Sequence, residues 1–212
     1  MIRYQLALLA HSQRYLLPML VFLVFLGVLY GNEANTPAPP EYAASAGALA
    51  VIACWLTIAL VDIEDPVQWL ITLAHARRLS TVVGGIVLTV LVCCTGLTVL
   101  SLLWSVITHH GDPPGELVIG ALAHFACAGT GIAIGLPASR LLVPRVGYTV
   151  IAAGVGMALV LLIRWIPLVN PILRELSAND VAALPVLLGF AVSLLVLAGS
   201  SAAVAELLRR LT

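Results

Sequence analysis

From Val82 to Ile107 the chain runs without one charged side chain, and five further stretches share that character: about 15–30, 42–61, 117–136, 146–163 and 181–204. A helix in water needs a solvated face, and these stretches have none. Only 9% of the 212 residues are charged, against roughly 25% in an ordinary soluble domain. The solvent that suits such segments is lipid. Crossing a hydrocarbon layer of about 30 Å takes roughly 20 mostly apolar helical residues. Backbone groups there must be satisfied within the segment, which favours helices. The runs are continuous and rich in Leu and Ala rather than alternating, so a β-barrel is excluded. The fold expected is all-α: one polytopic membrane domain over 1–212 with six transmembrane helices.

The polar residues punctuate these runs. Met1–Arg14 carries Ile2, Leu6 and Leu9 at helical spacing beside Arg3 and Arg14, which predicts a short interfacial helix ahead of the first span. Tyr15 and Tyr30 bracket that span as interface anchors. Gly31–Glu41 reads as a proline-rich loop. After the second span, Asp65 and Pro66 are an N-cap and first-turn pair that opens a separate helix over 65–78, too polar to span. Its Arg77 and Arg78 suit the negative end of a helix dipole. Thr108–Glu116 is a second loop, and 164–180, half apolar and twice broken by proline, is neither a free loop nor a span. Asp180 suits an N-cap of the last span, and Pro185 suggests a bend within it.

Orientation follows from the arginines. With a cytoplasmic N-terminus, Arg3, Arg14, Arg77, Arg78, Arg140, Arg145, Arg209 and Arg210 face inward, and Arg164 and Arg174 face outward. The reverse topology inverts that ratio, so both termini are expected in the cytoplasm. All ten basic residues are Arg and none is Lys, a bias that fits a high-GC bacterial genome and hence a bacterial inner membrane. A formal net charge of zero offers nothing to a nucleic acid. No cleavable signal peptide is expected, because the first apolar run lacks a small-residue cleavage site and further spans follow. Cys54, Cys93, Cys94 and Cys127 sit within apolar runs without metal-site spacing and read as small packing residues.

The missing chemistry narrows the function. His124 and the cysteines are the ionisable groups near the middle of a span, so coupling through a carboxylate at membrane depth is not expected. The chain has no GxxxxGK[ST] phosphate loop, no GxSxG elbow and no HExxH zinc motif. His109, His110, Asp112 and Glu116 have the composition of a metal cluster but read better as a solvated loop, so no metal is assigned. His124 is either a substrate-path residue or a neutral histidine bonded to a neighbouring helix. Gly131 and Gly135 have the spacing that lets membrane helices approach closely.

An interfacial helix, six spans, an amphipathic helix between spans two and three, and a broken segment between spans five and six together resemble the permease subunits of the ABC-2 family of ABC exporters, the type V fold. In that family the helix between spans two and three docks on a separate ATPase. It begins with acids, continues with hydrophobics and ends in a basic residue. Glu64 and Asp65, then Trp69, Leu70 and Leu73, then Arg77 and Arg78 match that order, although the family's Gly-Thr pair is missing. Re-entrant helices often built around an Asn-Pro pair form the family's external gate, and Pro167, Asn170 and Pro171 match them.

The resemblance implies a transport subunit rather than an enzyme. ATP and magnesium would be held by a nucleotide-binding ATPase partner, none being expected in this chain. A second permease copy or paralogue would complete the substrate path, which spans one, two and five would line in the lipid membrane. Two alternatives stand beside it: a haem or cofactor exporter permease like that of cytochrome c maturation, and a membrane scaffold or immunity protein with no transport of its own.

Overall fold

The computed structural model describes residues 2–31, 37–63, 79–109, 113–143, 145–163, 168–178 and 183–211. Among these residues every regular element is a helix: α1 (Ile2–Ser12), α2 (Leu16–Leu29), α3 (Ala38–Val61), α4 (Leu79–Thr108), α5 (Pro114–Ala138), α6 (Val146–Leu162), α7 (Asn170–Ser177) and α8 (Ala183–Leu211). The expected helix over 65–78 lies outside the described residues, as does Pro167 of the expected gate.

Four helices, α3, α4, α5 and α8, are long and apolar enough to cross a membrane, and a fifth crossing is made if α1 and α2, bent by 80° at their junction, count as one. This is a helical multi-pass membrane protein. The 14 residues of α2 and 17 of α6 rise only about 21 and 26 Å at 1.5 Å per residue, short of a 30 Å hydrocarbon layer. Gln13, with φ of 56°, makes the sharp turn between α1 and α2.

Two helix starts lie earlier than the hydropathy suggested. α3 begins at Ala38, so Pro39, Pro40 and Glu41 form its first turn rather than a loop, and α5 begins at Pro114. The first N–H groups of a helix have no internal acceptor, so proline costs little there, and a carboxylate suits the positive end of the dipole. Pro185 lies near the edge of the described residues, and α8 continues past it to Leu211.

The centre of the bundle is the parallel pair α3 and α5. Gly120 of α5 lies against the Tyr42 ring, Gly131 against Ala50 and Ala53, and Gly135 against Cys54 and Thr57. A Cβ on Gly131 would collide with the Ala50 carbonyl oxygen, so the two backbones are nearly in contact, as the small-residue spacing predicted. The two faces of α3 explain the asymmetry of the core. Leu49, Ile52, Leu56 and Leu60 belong to a cluster with residues of α2, α4, α5 and α8, whereas Ala43, Ala46, Ala50 and Cys54 belong to one with residues of α5, α6, α7 and α8. The cysteines are free, three of them buried. α8 runs parallel to α5, tied by the Ser200 hydroxyl, which donates to the Ala133 carbonyl at 2.7 Å.

Contacts between helix ends show that the chain passes back and forth. At one end, here the arginine end, Arg14 donates to the carbonyl of Asp62, the C-cap of α3, at 3.0 Å, and Arg140 beyond α5 stands 4.0 Å from the Asp62 carboxylate. At the other, the histidine end, Tyr30 beyond α2 stacks on Trp104 of α4 with ring centroids 6.5 Å apart. α1 lies across α4, where Thr89 donates at 3.0 Å to Gln5, a glutamine only 2% exposed.

α7 is short, amphipathic and separate from the long helices. Ile172 and Leu176 are buried while Arg174 and Ser177 face out. Leu173 rests on Gly47 of α3, and Ile172 on Gly189 of α8. Gly47 lies nine residues into α3, so α7 sits about 13 Å along the bundle from the start of that helix. Asn170 donates to the Leu161 carbonyl at 2.6 Å, supplying a partner to one of the final carbonyls of α6, which helix geometry leaves without a backbone donor.

Candidate functional site

Polar side chains are scarce in this bundle, so their gathering at one level carries information. At the histidine end the first turns of α3, the last turns of α4 and the second and third turns of α5 bring together Glu41, Tyr42, Ser45, Ser101, Ser105, His109 and His124. Tyr30 joins them from the end of α2.

His124 is fully buried. Its Nδ1 lies 2.7 Å from the Gly120 carbonyl oxygen. A carbonyl only accepts, so Nδ1 carries the hydrogen. Its Nε2 lies 3.1 Å from the Ser45 hydroxyl. In the neutral imidazole that nitrogen accepts, and Ser45 donates to it. The Ser45 hydroxyl also stands 2.9 Å from the Glu41 carbonyl and 3.3 Å from that of Tyr42, so its single proton has three acceptors to choose between. His124 thus joins α5 to α3, with both ring nitrogens engaged. Of the two expected roles, the bond to a neighbouring helix is the one the geometry displays.

The second group joins α3 to α4. His109 Nε2 stands 3.5 Å from Glu41 Oε2, and the two side chains are 9% and 10% exposed. His109 Nδ1 lies 3.1 Å from the Ser105 carbonyl oxygen and 3.3 Å from its hydroxyl. The Ser105 hydroxyl in turn donates to the Tyr42 phenol oxygen at 3.2 Å. One helical turn along, the hydroxyls of Tyr30 and Ser101 lie 3.4 Å apart. Among these residues His124 was expected within a span, whereas Glu41 and His109 were expected in loops and Ser45, Ser101 and Ser105 were not singled out. Glu41 and His109 read as loop residues because they stand next to prolines, glycine and other polar residues. The signal that could have paired them is the first-turn chemistry of Ala38-Pro39-Pro40-Glu41, which marks a helix start.

The other expected site residues are not gathered with these. Asn170 and Pro171 begin α7, which lies beside α3 and is tied to α6. Glu64, Asp65, Trp69, Leu70, Leu73, Arg77 and Arg78 lie outside the described residues. Of the loop cluster considered for a metal, His109 is buried against Glu41, and His110 and Asp112 lie outside the described residues. Among the described residues no three His, Cys, Asp or Glu side chains are placed to hold a metal ion.

At the arginine end, the surroundings of Asp62 perturb its protonation. Burial raises its pKa, outweighing the lowering effect of Arg140 and then Arg14. The desolvation cost exceeds the return from a guanidinium 4.0 Å away, as is common for partly buried pairs.

Fold and site together define a helical multi-pass membrane protein with a polar girdle at one end of its bundle. Comparison with family models, with curated proteins and with solved structures finds no match.

Proposed function

We propose that this chain is the membrane-spanning permease subunit of an ATP-driven exporter of the ABC-2 type. The carrying observation is α7, a short amphipathic helix opened by Asn170-Pro171, lying against α3 and α8 well inside the end of the bundle. A short helix opened by an Asn-Pro pair supports this reading, because the re-entrant helices of the family are often built around such a pair. In this reading the bundle has six spans, with α2 and α6 the two short ones. The interfacial helix is α1, and 164–180 is the external re-entrant segment. The arginine end is cytoplasmic, the membrane is the bacterial inner membrane, and the histidine end faces out.

The mechanism is mechanical. A nucleotide-binding ATPase subunit, holding ATP and magnesium, pushes on the 65–78 segment. That segment directly follows Asp62, where α3 ends and where Arg14 and Arg140 converge. The close fit of Gly131 and Gly135 on α3 makes α3 and α5 move together. Displacement at the arginine end therefore reaches α7 and the histidine end without being absorbed by soft packing. A second permease copy or paralogue supplies the other wall of the path.

The test is solubilisation from the native membrane followed by a search for a stoichiometric Walker-motif ATPase. Trp69→Asp and Leu73→Asp are expected to release that ATPase while leaving the bundle folded. Absence of any ATPase, with function intact in both variants, refutes the permease reading and leaves a scaffold.

A further inference from the structure

We propose that the arginine end of α3 binds an anionic phospholipid, its phosphate held by Arg14 and Arg140 and one acyl chain laid along Val51, Trp55 and Ile58. α3 is a core helix, yet one line of it stays open. Val51 is 43% and Trp55 39% exposed, and Ile58 is half-buried. Their spacing keeps these three on one face of the helix. Asp62, the C-cap, retains helical φ and ψ, so the same line continues to it. Ala48 packs toward one of the two core clusters and Ile58 toward the other. The open line therefore follows the seam between them.

From Val51 to Asp62 the line rises about 16 Å at 1.5 Å per residue, and Val51 lies near the middle of the 24-residue helix. Half of a hydrocarbon layer is about 15 Å. The line thus runs from mid-membrane to one surface, as a single acyl chain does. At that surface Arg14 arrives ahead of α2 and Arg140 from beyond α5. Arg14 caps the Asp62 carbonyl with one N–H at 3.0 Å. Arg140 Nε stands 4.0 Å from Asp62 Oδ1, and that oxygen is buried without a hydrogen bond. Helix capping therefore accounts for one N–H of Arg14 and for nothing of Arg140. A guanidinium presents a planar fork of donors matched to phosphate oxygens, and the Arg140 side chain is 44% exposed.

Two guanidinia face one carboxylate here, so positive charge is left over at the depth where a lipid carries its phosphate. An apolar line that ends in net positive charge is the complement of an anionic amphiphile. A zwitterionic lipid would use the line without answering the excess charge. A free anion would use the arginines and leave the line empty. The anionic phospholipid uses both. Binding needs neither an ATPase nor a second copy of the chain, so it stands or falls apart from the permease reading.

The test uses the full chain without any ATPase, with Trp69→Phe, Trp104→Phe and Trp165→Phe so that Trp55 alone emits. It is reconstituted in mixed bilayers of phosphatidylcholine and phosphatidylglycerol, with bromine on the acyl chains of one lipid or the other. Quenching of Trp55 is expected to show a preference of about fivefold for phosphatidylglycerol, the ratio for one net basic charge at the surface. In the double variant Arg14→Gln, Arg140→Gln the preference is expected to vanish while brominated phosphatidylcholine still quenches, because the apolar line is intact. Arg145→Gln, an exposed arginine at the start of α6, is expected to keep the preference. Equal quenching by both lipids with the arginines in place means ordinary lipid contact and overturns the proposal. So does a preference that survives the double variant or is lost equally in Arg145→Gln. Excess inorganic phosphate is expected to leave the preference unchanged; its loss would assign the arginines to a free anion and overturn the lipid as occupant. Should the double variant fail to fold, Arg140→Gln, which breaks no hydrogen bond to Asp62, decides by the same measurement.

Discussion

Replacing Gly131 by alanine tests the central packing claim most directly. The added Cβ would stand 3.0 Å from Ala53 Cβ and from the Ala50 carbonyl carbon, and closer still to the Ala50 oxygen. Carbon atoms pack best at about 3.5–4.0 Å. α3 and α5 must therefore part by roughly 0.5–1 Å, a gap that forfeits about a quarter to a half of each contact's dispersion energy. No side chain can rotate away, because the obstruction is backbone. Overpacking of this kind costs about 1–3 kcal/mol. Alanine returns up to about 1 kcal/mol through its better helix propensity. The net expectation is a loss of about 2 kcal/mol, at the upper end because the helices are held by packing rather than by a hydrophobic drive. The assay is reversible unfolding in mixed micelles of increasing dodecyl sulfate fraction, followed by circular dichroism. Gly96→Ala and Gly84→Ala are the controls, since a Cβ at either position meets nothing within 4 Å. They are expected to be neutral or stabilising by up to about 1 kcal/mol. Gly131→Ala as stable as wild type, or Gly96→Ala equally damaged, would refute the close approach of α3 and α5.

Three further outcomes follow from the same geometry. His124→Leu is expected to cost about 1–3 kcal/mol by removing both buried bonds, whereas His124→Asn, which keeps a donor for the Gly120 carbonyl, loses less in the same unfolding assay. Asp62→Asn is expected to be neutral or stabilising at neutral pH although it removes an ion pair. The native carboxyl is held at a raised pKa, so the folded protein binds its proton more tightly than the unfolded chain does. Wild-type stability then rises relative to the variant as pH falls through the native pKa, and unfolding at stepped pH checks the sign. Asn170→Ala is expected to free α7 from α6 at a cost of about 0.5–1.5 kcal/mol, read as faster amide exchange across 170–177 with exchange in α5 unchanged.

Much of the architecture could be read directly from the chain because lipid imposes one rule on every residue. A segment without charges must bury its backbone bonds in a helix, so Val82–Ile107, Leu117–Leu136 and the other runs became helices close to their hydropathic limits. Gly131 and Gly135 were legible as a packing seam for the same reason, since only small side chains permit backbone contact. The errors fell at helix starts. Pro39, Pro40 and Pro114 carry loop character in composition, yet the first helical turn asks nothing of their missing N–H groups. Reading them as loop hid Glu41 within a loop and so hid its partner.

What the chain by itself determined is the solvent, the helices and the order in which arginine-rich and proline-rich ends alternate. Those properties depend on each segment alone. Only the tertiary structure decided that Glu41, 68 positions before His109, meets it at 3.5 Å, that Tyr42 meets Ser105, and that His124 finds Ser45. Polar partners on different helices leave no periodic trace in the sequence, because their pairing is set by how the helices rotate and stack. That rotation is set here by the small face of α3 and the glycines of α5, which bring the two helices close enough to align everything above them.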